Sequence, residues 1–195
     1  MDAIEFFRLR YDNLHPGVWE RVTRKLTEAQ IRTRPHPAVN TIAWQIWHMA
    51  RCEDVGVNRF VVDRAQVLEV ENWLPRLGVA RRDIGTGMTD PEVDALSARV
   101  DLDALRDYWA AVGRRTLQVV DDLDTARLAD PIDRERLDRV LTDEGMLGEH
   151  AGWVRSMWAE LPNRGWFLAQ LALTHNTGHL YQISMIRSLW GFPGR

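Results

Sequence analysis

The stretch at residues 41–54, "TIAWQIWHMARCED", decides the fold class of this chain. At about 100° per residue, His48 and Cys52 share one side of a helix, while Ile46 lies on the opposite side. Both sides carry apolar residues around these positions, so the helix is apolar over much of its circumference. This pattern predicts the central helix of a helical bundle over residues 41–64, with a titratable histidine ring inside it.

Three other segments of similar length also have helical character. Asn40 and Asn163 are good N-caps for the second and fourth segments, and Gly191 is a good stop for the fourth. Pro16 predicts a break in the first segment near residues 14–17. Alternation of β-branched and polar residues, which marks strands, is nearly absent. The chain is therefore predicted to be all-α, a four-helix bundle. The four segments are residues 2–27, 41–64, 102–122 and 163–190.

The connections between these segments are long, at residues 65–89 and 123–162. We expect short helices beside or within them, at residues 90–98 and within "HAGWVRSMWAE" at 150–160. The glycine-rich "IGTGMT" at 84–89 lacks the full phosphate-loop pattern, which indicates a flexible loop near the open end of the bundle.

Composition limits the classes of partner. With 195 residues and 45% hydrophobic content, the chain is expected to form one domain over residues 1–195. A net charge of −3 gives no basic surface for nucleic acid or for an anionic membrane. The single cysteine excludes an internal disulfide and suits a cytoplasmic protein. No stretch reaches 18 apolar residues, so no membrane span is expected.

A pair of histidines marks the last segment, in "THNTGHLYQ". His175 and His179 stand about 40° apart on one helix face, one turn from each other. Leu171 and Ile186 share this face, so we expect both rings to be buried, where an unpaired imidazole is costly. One metal ion bound by both rings would remove that cost. The alternative is one exposed and one hydrogen-bonded histidine. Gly178 between them favours close approach by another group.

Two interpretations of His48 remain open from the residues alone. It is either a core histidine satisfied by a hydrogen bond or a third metal ligand. Three neutral histidines leave at least one open position on the metal, which suits hydrolysis or thiol chemistry. Cys52, one turn away, is either a soft ligand or a core residue. Glu53 lies too far around the helix for a direct ligand and is expected to orient a neighbour or pair with an arginine.

The remaining charged candidates fit a metal site less well. His15 and His36 each precede a proline, which indicates loop or kink positions, while His150 is a candidate fourth ligand or supporting group. Arg81 and Arg82 either form a solvated charge pair or bind the carboxylates of a thiol cofactor.

Two motifs carry a resemblance to a known family. "RTRPHPAVNTIAWQIWHMARCED" at 32–54 resembles the loop and second helix of the DinB/YfiT-like superfamily, and "LTHNTGHLYQISMIRSLWG" at 173–191 is similar to its last helix. The likeness spans almost the whole chain in order and spacing. It implies a four-helix bundle with a divalent metal ion held by His48, His175 and His179, with zinc the first candidate and nickel, manganese or iron as others. It also implies a homodimer.

The resemblance implies an activity class as well. It points to transfer of a low-molecular-weight thiol to a small-molecule substrate, as by an S-transferase. A metal-dependent hydrolase and a non-catalytic metal-binding module for stress responses are the alternatives, and a purely helical scaffold with three core histidines is a further one. Neither nucleic acid nor a membrane is expected as a partner. The sequence assigns no general base and no cofactor-binding residue.

Overall fold

A computed structural model describes residues 1–15, 17–160 and 163–192 of the chain, and it confirms the all-α prediction. Within these ranges the backbone forms helices, and its one β-type contact is an isolated bridge between Pro131 and Asn163. The α-helices are α1 (Ala3–Tyr11), α2 (Val18–Thr23), α3 (Glu28–Arg32), α4 (Ile42–Asp54), α5 (Val67–Val70), α6 (Trp73–Leu77), α7 (Asp90–Arg99), α8 (Leu102–Asp121), α9 (Arg134–Asp138), α10 (Gly152–Ala159), α11 (Arg164–Phe167) and α12 (His175–Leu189).

Four long helical segments, which we call rods, form the bundle, as the sequence predicts. They are α1 with α2, α4, α8, and the continuous run from α11 through α12. All 13 residues of α4 are buried, and α4 packs against both α8 and α12. The apolar character of both sides of α4 therefore places it at the centre, where it can present side chains to several helices at once.

Helix starts follow the capping chemistry of the sequence, with one correction. The side chain of Asn163 accepts a hydrogen bond from the backbone N–H of Trp166, as expected. The cap of α4 is Thr41 rather than Asn40, because the Thr41 hydroxyl accepts from the N–H of Trp44. Both residue types cap helices well, so residue preference alone cannot choose between neighbours.

The break in the first segment is present in the described residues around it. α1 ends at Tyr11 and α2 begins at Val18, after Gly17 in a left-handed conformation (φ 66°). Pro16 itself lies outside the described residues. The predicted short helices also form, as α7 and α10.

Two long rods widen into π-helical segments where they meet. α4 continues as Val55–Val61, and Leu168–Thr174 leads into α12. A β-carbon built on Gly56 would lie 2.5 Å from Cδ1 of Leu171, so this position requires glycine. The close contact draws α4 and the fourth rod together just beyond the turns that carry the histidines.

Substituting two glycines should therefore have opposite effects on stability. Gly56→Ala should lower the free energy of unfolding by about 1–3 kcal/mol, because the new methyl group overlaps Leu171. Gly178→Ala should be neutral or raise it by up to about 1 kcal/mol, because nothing lies within 4 Å of its built β-carbon. Urea unfolding of both variants measures the two values. Equal effects would contradict the packing described for Gly56.

Candidate metal centre

Three histidine rings from two helices meet inside the bundle. α4 supplies His48 and α12 supplies His175 and His179, with ring centroids 4.4–4.9 Å apart. The Nε2 atom of His175 lies 3.1 Å from Nε2 of His48 and 3.1 Å from Nε2 of His179. The i, i+4 pair therefore stands on one face of α12, as predicted, and that face meets α4 at His48.

Backbone and side-chain acceptors fix the tautomers of two of these rings. Nδ1 of His48 hydrogen-bonds the carbonyl oxygen of Ile84, and Nδ1 of His179 hydrogen-bonds Oε1 of Gln45. Both acceptors are oxygens that cannot donate, so each Nδ1 carries the proton. The Nε2 atoms of His48 and His179 are therefore left with free lone pairs.

Comparison with known proteins shows the family of the chain and, separately, a solved structure with a similar fold. The sequence matches the DinB superfamily over residues 13–183, which is most of the chain. The chain belongs to the DinB superfamily. Its fold is similar to the crystal structure of a conserved protein from Enterococcus faecalis, with a TM-score of 0.71, 20% identity and 97% of each chain covered. No curated protein matches the sequence significantly.

The three rings of this DinB superfamily member are held neutral. Burial, with a smaller contribution from the neighbouring His179, lowers the pKa of His48 to about 3. Burial also lowers the pKa of His179 to about 4 and lowers that of His175, which the other two rings depress as well. Neutral imidazole is the form that binds metal ions, so near pH 7 these rings need not lose a proton first.

Cys52 stands beside the same cluster. His48, Cys52 and His175 each offer a ligand atom within 4.8 Å of the others, which is close enough to hold a metal ion. The sulfur lies 3.7 Å from Nδ1 and 3.8 Å from Nε2 of His48. Because it is almost equally far from both nitrogens, it faces the ring rather than the lone pair of Nε2. Burial strongly raises the pKa of this thiol, which keeps it protonated.

Trp44 forms an aromatic wall of the cluster. Its ring stacks on His48 with centroids 4.5 Å apart and planes 13° apart, and it meets His179 edge-on at 6.3 Å. It lies one turn before His48 on α4 and is buried. This packing fixes the plane of the His48 ring in addition to its Nδ1 hydrogen bond.

The glycine-rich loop at 84–89 is packed against the bundle, which corrects the expectation of a flexible, open loop. Ile84 is buried, and its carbonyl oxygen accepts the His48 proton. Gly85 and Gly87 adopt φ values of 78° and 79°. A β-carbon on Gly85 would lie 2.4 Å from the Trp47 ring, and one on Gly87 would lie 2.8 Å from the His150 backbone. The glycines thus allow the loop to approach the centre.

The neighbouring Arg81 and Arg82 form surface ion pairs. Arg81 pairs with Asp83 and Glu92, and Arg82 with Glu69. This arrangement fits the solvated charge pair better than capture of a thiol cofactor.

A buried carboxylate next to the cluster was only partly anticipated. Glu53 accepts hydrogen bonds from Tyr11, from Thr116 (2.6 Å) and from Asn176 (2.6 Å), and its Oε2 lies 2.9 Å from Nε2 of His15. Burial would raise the pKa of Glu53, but His15 and these donors together lower it. No arginine of the described ranges pairs with it, so the expected arginine partner is not found there. Because Asn176 follows His175 directly, this carboxylate ties α12 to α4, α8 and the α1 region.

The sequence interpretation of Gly178 is wrong. Among the described residues no group approaches its β-carbon position, so the glycine does not make room for a neighbour. His150, a candidate fourth ligand or supporting group, is exposed and lies outside the cluster. His36 and His15, for which loop or kink positions were expected, also lie outside it, and His15 contacts Glu53. Among the described residues, no helix is both long and apolar enough to span a membrane.

Proposed function

We propose that the chain is an enzyme that depends on a divalent metal ion held by His48, His175 and His179. The observation that carries this proposal is the pair of 3.1 Å distances between Nε2 atoms. Two nitrogen ligands of one tetrahedral zinc ion, each at 2.0–2.1 Å, stand about 3.3 Å apart. The pair of His175 with His48 and the pair of His175 with His179 are therefore each spaced like two ligands of one ion, and an ion bound by all three rings would draw His48 and His179 together.

The proton balance of the cluster supports the same assignment. His48 and His179 carry their protons on Nδ1, so only His175 has a proton that can lie between Nε2 atoms. One proton can form a hydrogen bond across only one of the two close Nε2–Nε2 contacts. A shared cation could instead accept the lone pairs of all three Nε2 atoms. If His175 binds the cation through Nε2, its proton lies on Nδ1, which is buried without a partner in the described residues. A buried N–H group without a partner costs free energy, and binding of the cation would offset that cost.

Supporting groups resemble those of known metal sites. Histidine ligands usually donate their second N–H to a carbonyl or carboxylate oxygen, which orients the ring and raises its basicity. Ile84 and Gln45 do this for His48 and His179. Cys52 is not assigned as a ligand, because its sulfur faces the His48 ring rather than the lone pair of Nε2.

The reaction we propose is transfer of a low-molecular-weight thiol to an electrophilic small molecule, with zinc as the first candidate metal. The thiol gives up its proton to water, its sulfur forms the new bond to an electrophilic carbon, and the bond from that carbon to its leaving group breaks, with release of the leaving group as an anion. His48, His175 and His179 would hold the metal ion, and an ion with only three protein ligands would leave a position for the thiol and would lower its pKa. The chain's own part is to hold three neutral rings in place, through Ile84, Gln45 and the Trp44 wall, and to keep α12 fixed through Glu53.

A conjugation assay tests this proposal. Zinc-loaded wild type should consume the thiol group of mycothiol, bacillithiol or glutathione in the presence of 1-chloro-2,4-dinitrobenzene faster than the uncatalysed reaction does. Dialysis against a chelator should remove the excess rate, and adding zinc back should restore it. His36→Ala is the matched control, since this exposed histidine lies outside the cluster. Turnover of ester or amide substrates without any thiol would contradict thiol transfer, and no turnover of either kind would favour a non-catalytic module.

We also propose that two copies form a homodimer through the exposed apolar face of α12. Tyr181, Met185 and Leu189 are 71%, 60% and 59% exposed and follow one another at helical spacing. Met185→Glu combined with Leu189→Glu should convert the dimer to a monomer in sedimentation experiments. Gln118→Glu, which adds a negative charge to an exposed position of α8, should leave the dimer intact. A monomeric wild type would contradict the proposal.

A further inference from the structure

A wide groove runs between the α1–α2 region and α12. It has a volume of about 1270 Å³, which is ample for a small organic molecule. None of the lining residues that the structure describes is an aspartate or a glutamate, although acidic residues outnumber basic ones in the chain. The groove is lined by five cationic side chains: Arg10, Arg21, Arg24, Lys25 and Arg187.

These five cations differ from the other arginines nearby in lacking ion-pair partners. By contrast, Arg8 on α1 pairs with Asp121, and Arg32 on α3 pairs with Glu28. Within residues 1–15, 17–160 and 163–192, none of the five groove cations lies within ion-pair distance of a carboxylate. Their charges are thus concentrated on one concave surface, which raises the local concentration of anions there.

Arg187 is the most deeply placed of the five. Its side chain reaches from α12 to the end of α2, where Nη1 donates to the carbonyl oxygens of Val22 (2.7 Å) and Arg24 (3.0 Å). The other guanidinium N–H groups have no hydrogen-bond partner among the described residues. Burial lowers the pKa of Arg187, and the nearby charge of Arg24 lowers it further, so an anion in the groove would relieve both effects.

The rest of the groove surface is largely apolar. Leu14, Val22, Leu173 and Leu180 line it, with the exposed ring of Phe6 at its edge. A fully hydrated inorganic anion would leave this surface in contact with water. An anion that carries a hydrocarbon part would instead bury it.

The groove lies on the other side of α12 from the metal centre. Counted from His175 at about 100° per residue, Thr177, Leu180 and Ser184 lie about 140–200° around the helix, whereas His179 lies at about 40°. Thr177, Leu180 and Ser184 all line the groove. A molecule bound there cannot reach the Nε2 atoms of the histidines, so this surface is distinct from the proposed reaction centre.

We infer that the groove is a second binding site, which takes a small amphipathic anion with a carboxylate or phosphate head group and an apolar body. The head group would contact Arg187 and Arg24, and the body would lie along the leucines. A second copy of the chain is a poor occupant. A twofold contact over the groove would bring the same five cations face to face. The proposed dimer face meets the groove only at Tyr181, because Met185 and Leu189 do not line it.

Calorimetric titration of the zinc-loaded wild type with decanoate, below its critical micelle concentration, tests this site. We expect saturable binding of about one decanoate per chain. Decyltrimethylammonium, with the same tail and the opposite charge, and inorganic phosphate, with no tail, should each bind at least about tenfold more weakly. The proposal would be overturned if decanoate showed no saturable binding, or if either control compound bound as tightly as decanoate.

Arg10→Gln with Arg24→Gln removes two groove charges whose side chains form no hydrogen bond with the described residues. This double variant should bind decanoate at least about tenfold more weakly, while its zinc content stays that of the wild type. Arg114→Gln with Arg134→Gln removes two exposed charges elsewhere and should bind decanoate as the wild type does. Equal weakening in both double variants would show a general charge effect and would overturn the site. Because zinc content is measured separately, failure here is distinguishable from failure of the metal centre.

Discussion

Replacing His175 by alanine should weaken zinc binding by at least about 100-fold. His175 is the ring shared by both 3.1 Å contacts, so its removal leaves His48 and His179 without the nitrogen that lies close to each. Changes to the supporting groups of metal sites alone cost 10–100-fold in affinity, and loss of a ligand should cost more. Competition with a chromogenic chelator measures the affinity of the purified, untagged protein.

Two matched variants separate this outcome from general damage to the fold. His36→Ala removes an exposed histidine outside the cluster and should bind zinc as the wild type does. Cys52→Ser keeps the size of a buried side chain beside His48 but removes the sulfur, and should change the affinity less than threefold. A large loss in Cys52→Ser with little loss in His179→Ala would replace His179 by Cys52 as the third ligand. Unchanged binding in His175→Ala would refute the centre altogether.

The histidine cluster could be anticipated because its signals are local or nearly so. The i, i+4 pair of His175 and His179 is visible in five residues of sequence, and the burial of α4 follows from its apolar circumference. What joins them, the contact of His48 with His175, is a tertiary contact across 127 residues. Family likeness supplied that link, since spacing within one helix carries no information about its partner helix.

The supporting contacts could not be predicted from the sequence for a physical reason. Gln45 lies on α4 but orients His179 on α12, and the Ile84 acceptor is a backbone carbonyl that any residue type would offer. Glu53 was expected to orient a neighbour, yet its partners come from three separate parts of the chain, the α1 region, α8 and α12. Such networks depend on how helices are packed, and residue type reveals only that a partner is needed.

Gly178 and the π-helical segments show where local rules mislead. The cost of glycine in a helix made a close neighbour of Gly178 a reasonable expectation, but the position faces open space. The glycine that does make room is Gly56, which lies in a π-helical segment where the regular period of 3.6 residues no longer holds. Angular positions counted along an ideal helix are therefore reliable within α12 and lose accuracy beyond its start.

Asp54→Asn should lower the free energy of unfolding by about 3–5 kcal/mol. Asp54 is fully buried and pairs with the equally buried Arg51 at 3.3 Å. Removing its charge leaves the guanidinium inside the protein without a counter-charge, which is among the most destabilising single changes known. The new amide nitrogen would also face a backbone N–H, which can only donate, whichever carboxylate oxygen it replaces. The donors to the two carboxylate oxygens are the backbone N–H groups of Val67 (2.8 Å) and Leu68 (2.9 Å), the Asn58 amide (2.8 Å) and the Tyr108 hydroxyl (2.7 Å).

The matched control is Asp94→Asn, which removes a carboxylate that pairs with Arg34 at the surface. Because the Asp94 side chain is 60% exposed, this change should cost less than about 1 kcal/mol. Urea unfolding of both variants as zinc-free protein gives the comparison without any contribution from metal binding. The contrary outcome is that Asp54→Asn lowers the free energy of unfolding no more than the control does. The Arg51 guanidinium would then be stabilised mainly by its other acceptors, Gln66 and the carbonyl oxygen of Arg82. The helix junction at α5 would then depend on neutral hydrogen bonds rather than on a buried ion pair.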